Sequence, residues 1–208
     1  MIIILDFGSQ YTQLIARRVR EANVYCEIHP FNYSAEKIRA SRPNGIILSG
    51  GPSSVYDQKA PKPDPKIFDL GVPILGICYG LQVMVTHFGG KVARAPRREY
   101  GPADIGVVTG NALFQGLKGT LPVWMSHGDH AEQLPQGFSI VAKTSNAPYA
   151  AIHHAGRNFF AVQFHPEVHH TPSGKEILSN FLFRVCAEKA DWTMASFAEE
   201  QTRIVRDQ

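Results

Sequence analysis

A cysteine flanked by glycines, Gly76-Ile77-Cys78-Tyr79-Gly80, sits where an apolar run at 72–75 gives way to a helix-period stretch at 81–88. A thiol at a strand-to-helix bend meets unpaired amide N–H groups and the positive end of a helix dipole, and both favour thiolate over thiol. Such a bend needs glycine on either side, because a Cβ there would strike the neighbouring strand or helix. Alone, the pentapeptide is equally compatible with a buried, inert cysteine in a glycine-punctuated loop. A second element lies near the other end, where the apolar segment 159–164 runs into His165-Pro166-Glu167. Residues i and i+2 of a strand share a face, so Glu167 would hold one tautomer of His165 while the ring faces Cys78. That is the nucleophile, base and orienter arrangement of acyl-transfer sites. In isolation, a histidine at a strand end is more often a surface or hydrogen-bonded residue.

The third element is the apolar run 45–48 followed by Ser49-Gly50-Gly51-Pro52, a loop whose glycines let backbone amides approach a ligand closely. The N–H of Gly51, paired with that of Tyr79, would stabilise a tetrahedral intermediate, one such donor being worth about 3 kcal/mol. A plain turn after a strand is the alternative. A phosphate cradle of the S-G-G-x-D-S type is a third reading, but Pro52-Ser53-Ser54 departs from that pattern and no G-x-x-x-x-G-K-[ST] occurs. The histidines at 127, 130, 153, 154, 165, 169 and 170 raise the question of a metal. They lack metal-ligand spacing on a regular element, so no metal is expected.

These groups are far apart in sequence, and the elements between them must bring them together. Strands are expected at 2–5, 25–28 and 45–48, with helices at 11–22 and 35–39 between them. That alternation predicts an α/β fold: a doubly wound, mostly parallel central sheet with helices on both faces. After Gly89-Gly90 the pattern changes to strand-like pieces at 92–95, 105–108, 123–125, 140–142, 150–153 and 159–164, an added antiparallel β portion. A closing amphipathic helix is expected over 173–187, with Ile177, Leu178, Phe181, Leu182 and Val185 on one face.

With 208 residues and 44% hydrophobic content the chain can build one sizeable core, and its net charge of +3 without a basic run gives no warrant for nucleic-acid or membrane binding. Cys26, Cys78 and Cys186 are odd in number and unpatterned, which argues for a reducing, cytoplasmic compartment. The start, Met1 to Asp6, lacks the basic region of a signal peptide.

On the three motifs above, the chain resembles the class I glutamine amidotransferases over nearly its whole length. Further matches are the opening segment 4–21, Arg98-Glu99-Tyr100-Gly101, Trp124-Met125-Ser126-His127-Gly128-Asp129, and 163–168 continuing to His170-Thr171. The resemblance implies a flavodoxin-like fold and hydrolysis of L-glutamine through a γ-glutamyl thioester. It makes Cys78 the nucleophile, His165 the base and acid, Glu167 the orienting carboxylate, and Gly51 and Tyr79 the oxyanion donors. Gly50, Gln82, Ser126, His127, Gly128 and Asp129 would hold glutamine, Asp129 suiting its ammonium group. The opening segment and the Trp124 to Asp129 run are most like members that pass ammonia to an ATP pyrophosphatase (synthetase) unit. No cofactor is then expected in this chain, ATP and Mg belonging only to that partner. Residues 1–188 would be the amidotransferase domain and 189–208 the start of a helical connector, the chain being the amino-terminal part of a two-unit enzyme. A Cys-His-Glu γ-glutamyl hydrolase, a glutaminase subunit of another class I amidotransferase and a catalytically silent binding module of the same fold are the rival readings.

Overall fold

The computed structural model of the chain describes residues 1–108 and 110–195. Its strands are β1 (Ile2–Asp6), β2 (Cys26–Pro30), β3 (Gly45–Leu48), β4 (Ile74–Ile77), β5 (Lys91–Val107), β6 (Thr120–Gln133), β7 (Ser139–Lys143), β8 (Ala151–His154) and β9 (Phe159–Val162). They form one sheet in the order β2-β1-β3-β4-β9-β8-β7-β5-β6. The first five are parallel and the remainder antiparallel. The antiparallel portion foreseen from the sequence therefore continues the central sheet. The expected pieces at 92–95 and 105–108 are two ends of one strand, β5.

Alternation along the parallel strands explains the layering. Ile2, Ile4, Ile47, Leu75 and Ile77 point to one face, where α1 (Thr12–Glu21) and α4 (Gly174–Ser179) cover them with Ile15, Val19, Ile177 and Leu178. Ile3, Leu5, Ile46, Leu48 and Ile74 point to the other, beneath α2 (Ala35–Ser41) and α3 (Tyr79–His87). Strands buried on both faces have no polar side to show, which is why they are continuous apolar runs. Ser34 caps α2 by accepting from the Lys37 N–H. The closing helix widens after Ser179 into a π-helical turn, Asn180–Val185, where the Asn180 amide donates to the carbonyls of Leu113 and Gln115. Among the described residues no helix is long and apolar enough to cross a membrane. Of the connector helix expected over 189–208, the part beyond residue 195 lies outside the described residues, and 191–193 are not helical.

Each parallel strand delivers its following loop to the same edge of the sheet. The order reverses between β1 and β3, and the crevice beyond the carboxyl ends at such a reversal is where open α/β sheets bind ligands. Helix α3 is pinned against this edge, because a Cβ on Gly80 would lie 2.5 Å from the Leu48 carbonyl oxygen and one on Gly76 2.7 Å from Gly80. Gly→Ala inside a helix ordinarily gains about 1 kcal/mol. Here the clash with strand backbone outweighs it, overpacking costing about 1–3 kcal/mol. Gly80→Ala is accordingly expected to destabilise by about 1–2 kcal/mol and to lower activity by displacing α3; a urea midpoint equal to wild type would contradict this.

Candidate active site

Cys78 links β4 to α3 with φ +52° and ψ −102°, a conformation that costs a non-glycine residue about 1–3 kcal/mol. Packing imposes it: the close approach of Gly76 to Gly80 sets the bend, and the Cys78 N–H donates to the Val162 carbonyl at 2.8 Å, tying the bend to β9. The sulfur therefore stands clear of the sheet on the wall of a cleft of about 580 Å³.

The structure brings His165 and Glu167 to this sulfur, by a different route from simple strand alternation. Strand β9 ends at Val162, and Pro166, which has no N–H to offer a ladder, lies in the turn that follows. His165 is positioned instead by its N–H donating to the Trp124 carbonyl at 3.0 Å and by the Thr171 hydroxyl donating to its carbonyl at 2.7 Å. Its Nδ1 lies 2.7 Å from Glu167 Oε1, and the ring sits beside the Cys78 side chain: a Cβ built on Gly50 would lie 3.1 Å from His165 Cε1 and 3.7 Å from Cys78 Cβ. Tyr11 packs edge-on against the ring at 5.1 Å, and Arg18 donates to the Glu167 carbonyl at 3.1 Å. Glu167 is fully buried. Burial lowers the imidazole's pKa, but the hydrogen bonds to Cys78 and Glu167 and their charges outweigh it and hold it well above 6.5.

Gly51 and Tyr79 border the same cleft as Cys78. The Tyr79 amide is in the first turn of α3, where no intrahelical acceptor exists. Gly51 is glycine because a Cβ would lie 2.7 Å from the Phe7 carbonyl oxygen. Gln82, Ser126, His127, Gly128 and Asp129 also line the cleft. Gln82 is no solvated surface residue: it is buried, and its Nε2 donates to the Asp129 carbonyl at 2.9 Å, which fixes α3 against β6. Gly50, expected beside glutamine, is not among the lining residues and lies behind the Cys78–His165 pair, where a Cβ would come within 3.1 Å of the imidazole.

Several cleft features escaped the sequence reading. Four residues of β5, 95–98, stand against the single residue Gly128, between the pairs Arg94↔Asp129 and Glu99↔His127. This bulge places Arg94, Arg98 and Tyr100 on the cleft wall. Glu99 Oε2 lies 2.9 Å from His127 Nε2, and burial of that imidazole lowers its pKa despite the carboxylate. Gln163 lies wholly buried with Nε2 3.7 Å from Cys78 Sγ. The Arg98-Glu99-Tyr100-Gly101 run was the available signal for the bulge.

A nucleophile elbow at the carboxyl edge of a doubly wound sheet, a histidine and a buried carboxylate define a class of protein, and the sequence profile of class-I glutamine amidotransferases matches residues 3–185. The chain belongs to that family. Among its relatives are the glutamine-hydrolysing GMP synthases of Heliobacterium modesticaldum, 55% identical over 205 residues, and Caldanaerobacter subterraneus subsp. tengcongensis, 56% identical over 205 residues. Each alignment covers 99% of this chain, which spans 40% of the length of those relatives. A crystal structure from Thermoplasma acidophilum, described as that of a GMP synthase subunit, superposes with a TM-score of 0.77 at 30% identity, covering 97% of this chain and 96% of that one. A Thermotoga maritima glutamine amidotransferase superposes at 0.70 with 19% identity, covering 89% of this chain and 97% of the other, a likeness of fold.

Proposed function

We propose that this chain is the glutamine-hydrolysing unit of a GMP synthase. The observation that carries the chemistry is one imidazole held at Nδ1 by the buried Glu167 carboxylate and lying beside the Cys78 side chain, both flanking Gly50. In the proposed cycle His165 takes the Cys78 proton and the thiolate attacks the side-chain amide carbon of L-glutamine. The amides of Gly51 and Tyr79 meet the oxyanion. Collapse of the intermediate breaks the C–N bond as the imidazolium donates its proton to the departing ammonia, leaving a γ-glutamyl thioester. Water, deprotonated by His165, then hydrolyses the thioester to glutamate. Glutamine would lie in the cleft with its ammonium toward Asp129 and its side chain toward Cys78, held by the segment from Ser126 to Asp129 and by Gln82, with Gly50 supporting the dyad from behind.

Identity above 50% to GMP synthases along the whole chain supports the choice of partner. That partner is an ATP pyrophosphatase unit, in the same polypeptide or a separate one, which adenylates xanthosine monophosphate with ATP and Mg and accepts the ammonia. A reducing, cytoplasmic setting belongs to the same proposal, in keeping with three buried, unpaired cysteines. The test is ammonia release from glutamine by this chain, alone and with a synthetase unit charged with ATP, Mg and xanthosine monophosphate. Slow release alone and faster release with the charged partner are expected. Full turnover with no partner would contradict the coupling, and cleavage of γ-glutamyl peptides at comparable rates would favour a hydrolase instead.

A further inference from the structure

Removing a proton from Cys78 places a negative charge on the sulfur of a residue that is 4% exposed, and a largely buried anion needs hydrogen-bond donors beyond the imidazolium that took its proton. Among the described residues, two polar groups make hydrogen bonds with the sulfur. The Ser126 carbonyl oxygen, 3.6 Å away, accepts from the S–H and so favours the thiol. The Gln163 amide, with Nε2 at 3.7 Å, points a donor at the sulfur.

We infer that Gln163 is a further catalytic residue: its side-chain N–H stabilises the Cys78 thiolate once the proton has moved to His165. Its placement is fixed from both sides. The Gln163 N–H donates to the Ala150 carbonyl at 2.8 Å, and the Cys78 N–H donates to the carbonyl of Val162, the preceding residue, at 2.8 Å. Gln163 has no exposed surface, and its Oε1 is buried without a hydrogen-bond partner among the described residues. A buried amide with an unsatisfied carbonyl is retained at a cost in stability, which points to a use for the nitrogen. The opposite amide orientation would set an oxygen against the sulfur and strand two N–H groups, so the nitrogen faces Cys78. The thiolate then has donors on two sides, His165 and Gln163, while Ser126 opposes ionisation until the proton leaves.

The inference rests on the proposed role of Cys78 as nucleophile, and its test reads ionisation of the thiol instead of turnover, so the two fail separately. Iodoacetamide labelling of Cys78 is followed against pH in wild type, Gln163→Met and Gln163→Glu, with peptide mapping to confine the reading to Cys78. Cys26 and Cys186 interfere little, since burial pushes the Cys26 thiol up to about 11 and raises that of Cys186 as well. The expected result is an inflection about one pH unit higher in Gln163→Met, hence about tenfold slower labelling below it, and a larger displacement in Gln163→Glu, whose carboxylate repels the thiolate. The kcat for ammonia release should fall with the thiolate fraction while KM for glutamine stays within about twofold. An inflection unmoved in a folded variant overturns the inference. If Gln163→Met lacks a cooperative thermal transition, Gln163→Glu, of nearly unchanged size, decides alone. Loss of ammonia release in Cys78→Ala bears only on the nucleophile.

Discussion

Cys78→Ala is expected to lower ammonia release from glutamine by about 10⁴-fold or more, because no other group can form the thioester on which both half-reactions depend. Ser53, Ser54 and Ser126 also line the cleft, but of these four only Cys78 stands in the bend between two glycines, with the His165 ring beside it. The variant should fold. Alanine meets the same strain at φ +52° as cysteine, and removing the sulfur deletes its weak hydrogen bonds to Ser126 and Gln163 and its contact with the His165 ring. Stability should stay within about 1–2 kcal/mol of wild type. The check is steady-state ammonia release beside a thermal melt. A folded variant that kept more than about 1% of wild-type turnover would remove the thiol from the mechanism.

Glu167→Gln is expected to cost about 10²–10⁴ in kcat, by analogy with removal of the orienting carboxylate from other nucleophile–histidine–acid sites. The reason lies in the 2.7 Å contact between Glu167 Oε1 and His165 Nδ1, which selects the tautomer and stabilises the imidazolium formed during each transfer. The effect carries a signature in pH. Burial pulls the His165 pKa down, while Cys78 and Glu167 raise it to a net position well above 6.5. Replacing the carboxylate by an amide removes an upward contribution, so the imidazolium deprotonates at a lower pH. The alkaline limb of kcat/KM, where the general acid is lost, should therefore move to lower pH. Stability follows the same sign. A raised histidine stabilises the fold fully below its unfolded value near 6.5, and that contribution fades as pH rises through the higher folded value. The variant should lose part of this acid-side stabilisation. An alkaline limb that stayed in place, with kcat reduced, would mean that Glu167 serves only to shape the loop.

Much of this site was legible in the sequence because its parts follow strand ends. The apolar runs at 45–48, 72–75 and 159–164 mark the buried parallel strands β3, β4 and β9, whose carboxyl ends share one edge, so the loops after them converge without knowledge of tertiary contacts. The Cys78 bend was legible because close packing of Gly76, Gly80 and Leu48 leaves no room for a Cβ. The pairing of His165 with Glu167 was anticipated through strand alternation, yet β9 stops at Val162 and the pair forms in a turn. The same spacing, two residues earlier, would have pointed to Gln163. What escaped was what depends on register between distant segments. The bulge at 95–98 follows from how β5 pairs with β6; the Arg98-Glu99-Tyr100-Gly101 run marked the segment but carried no information about that register. The Gln82–Asp129 and Glu99–His127 contacts likewise arise only once α3 and β5 are laid against β6. The sequence also suggested a uniform closing helix, whereas Asn180 widens it to reach the carbonyls of Leu113 and Gln115.

The most direct measurement of the covalent route is mass spectrometry of the protein quenched in acid during turnover of glutamine, followed by peptide mapping. A γ-glutamyl adduct on the peptide carrying Cys78, absent in Cys78→Ala and accumulating in Glu167→Gln if hydrolysis is slowed more than attack, is the expected result. Sustained ammonia release with no adduct on Cys78 at any quench time, or an adduct mapped to another residue, would contradict it.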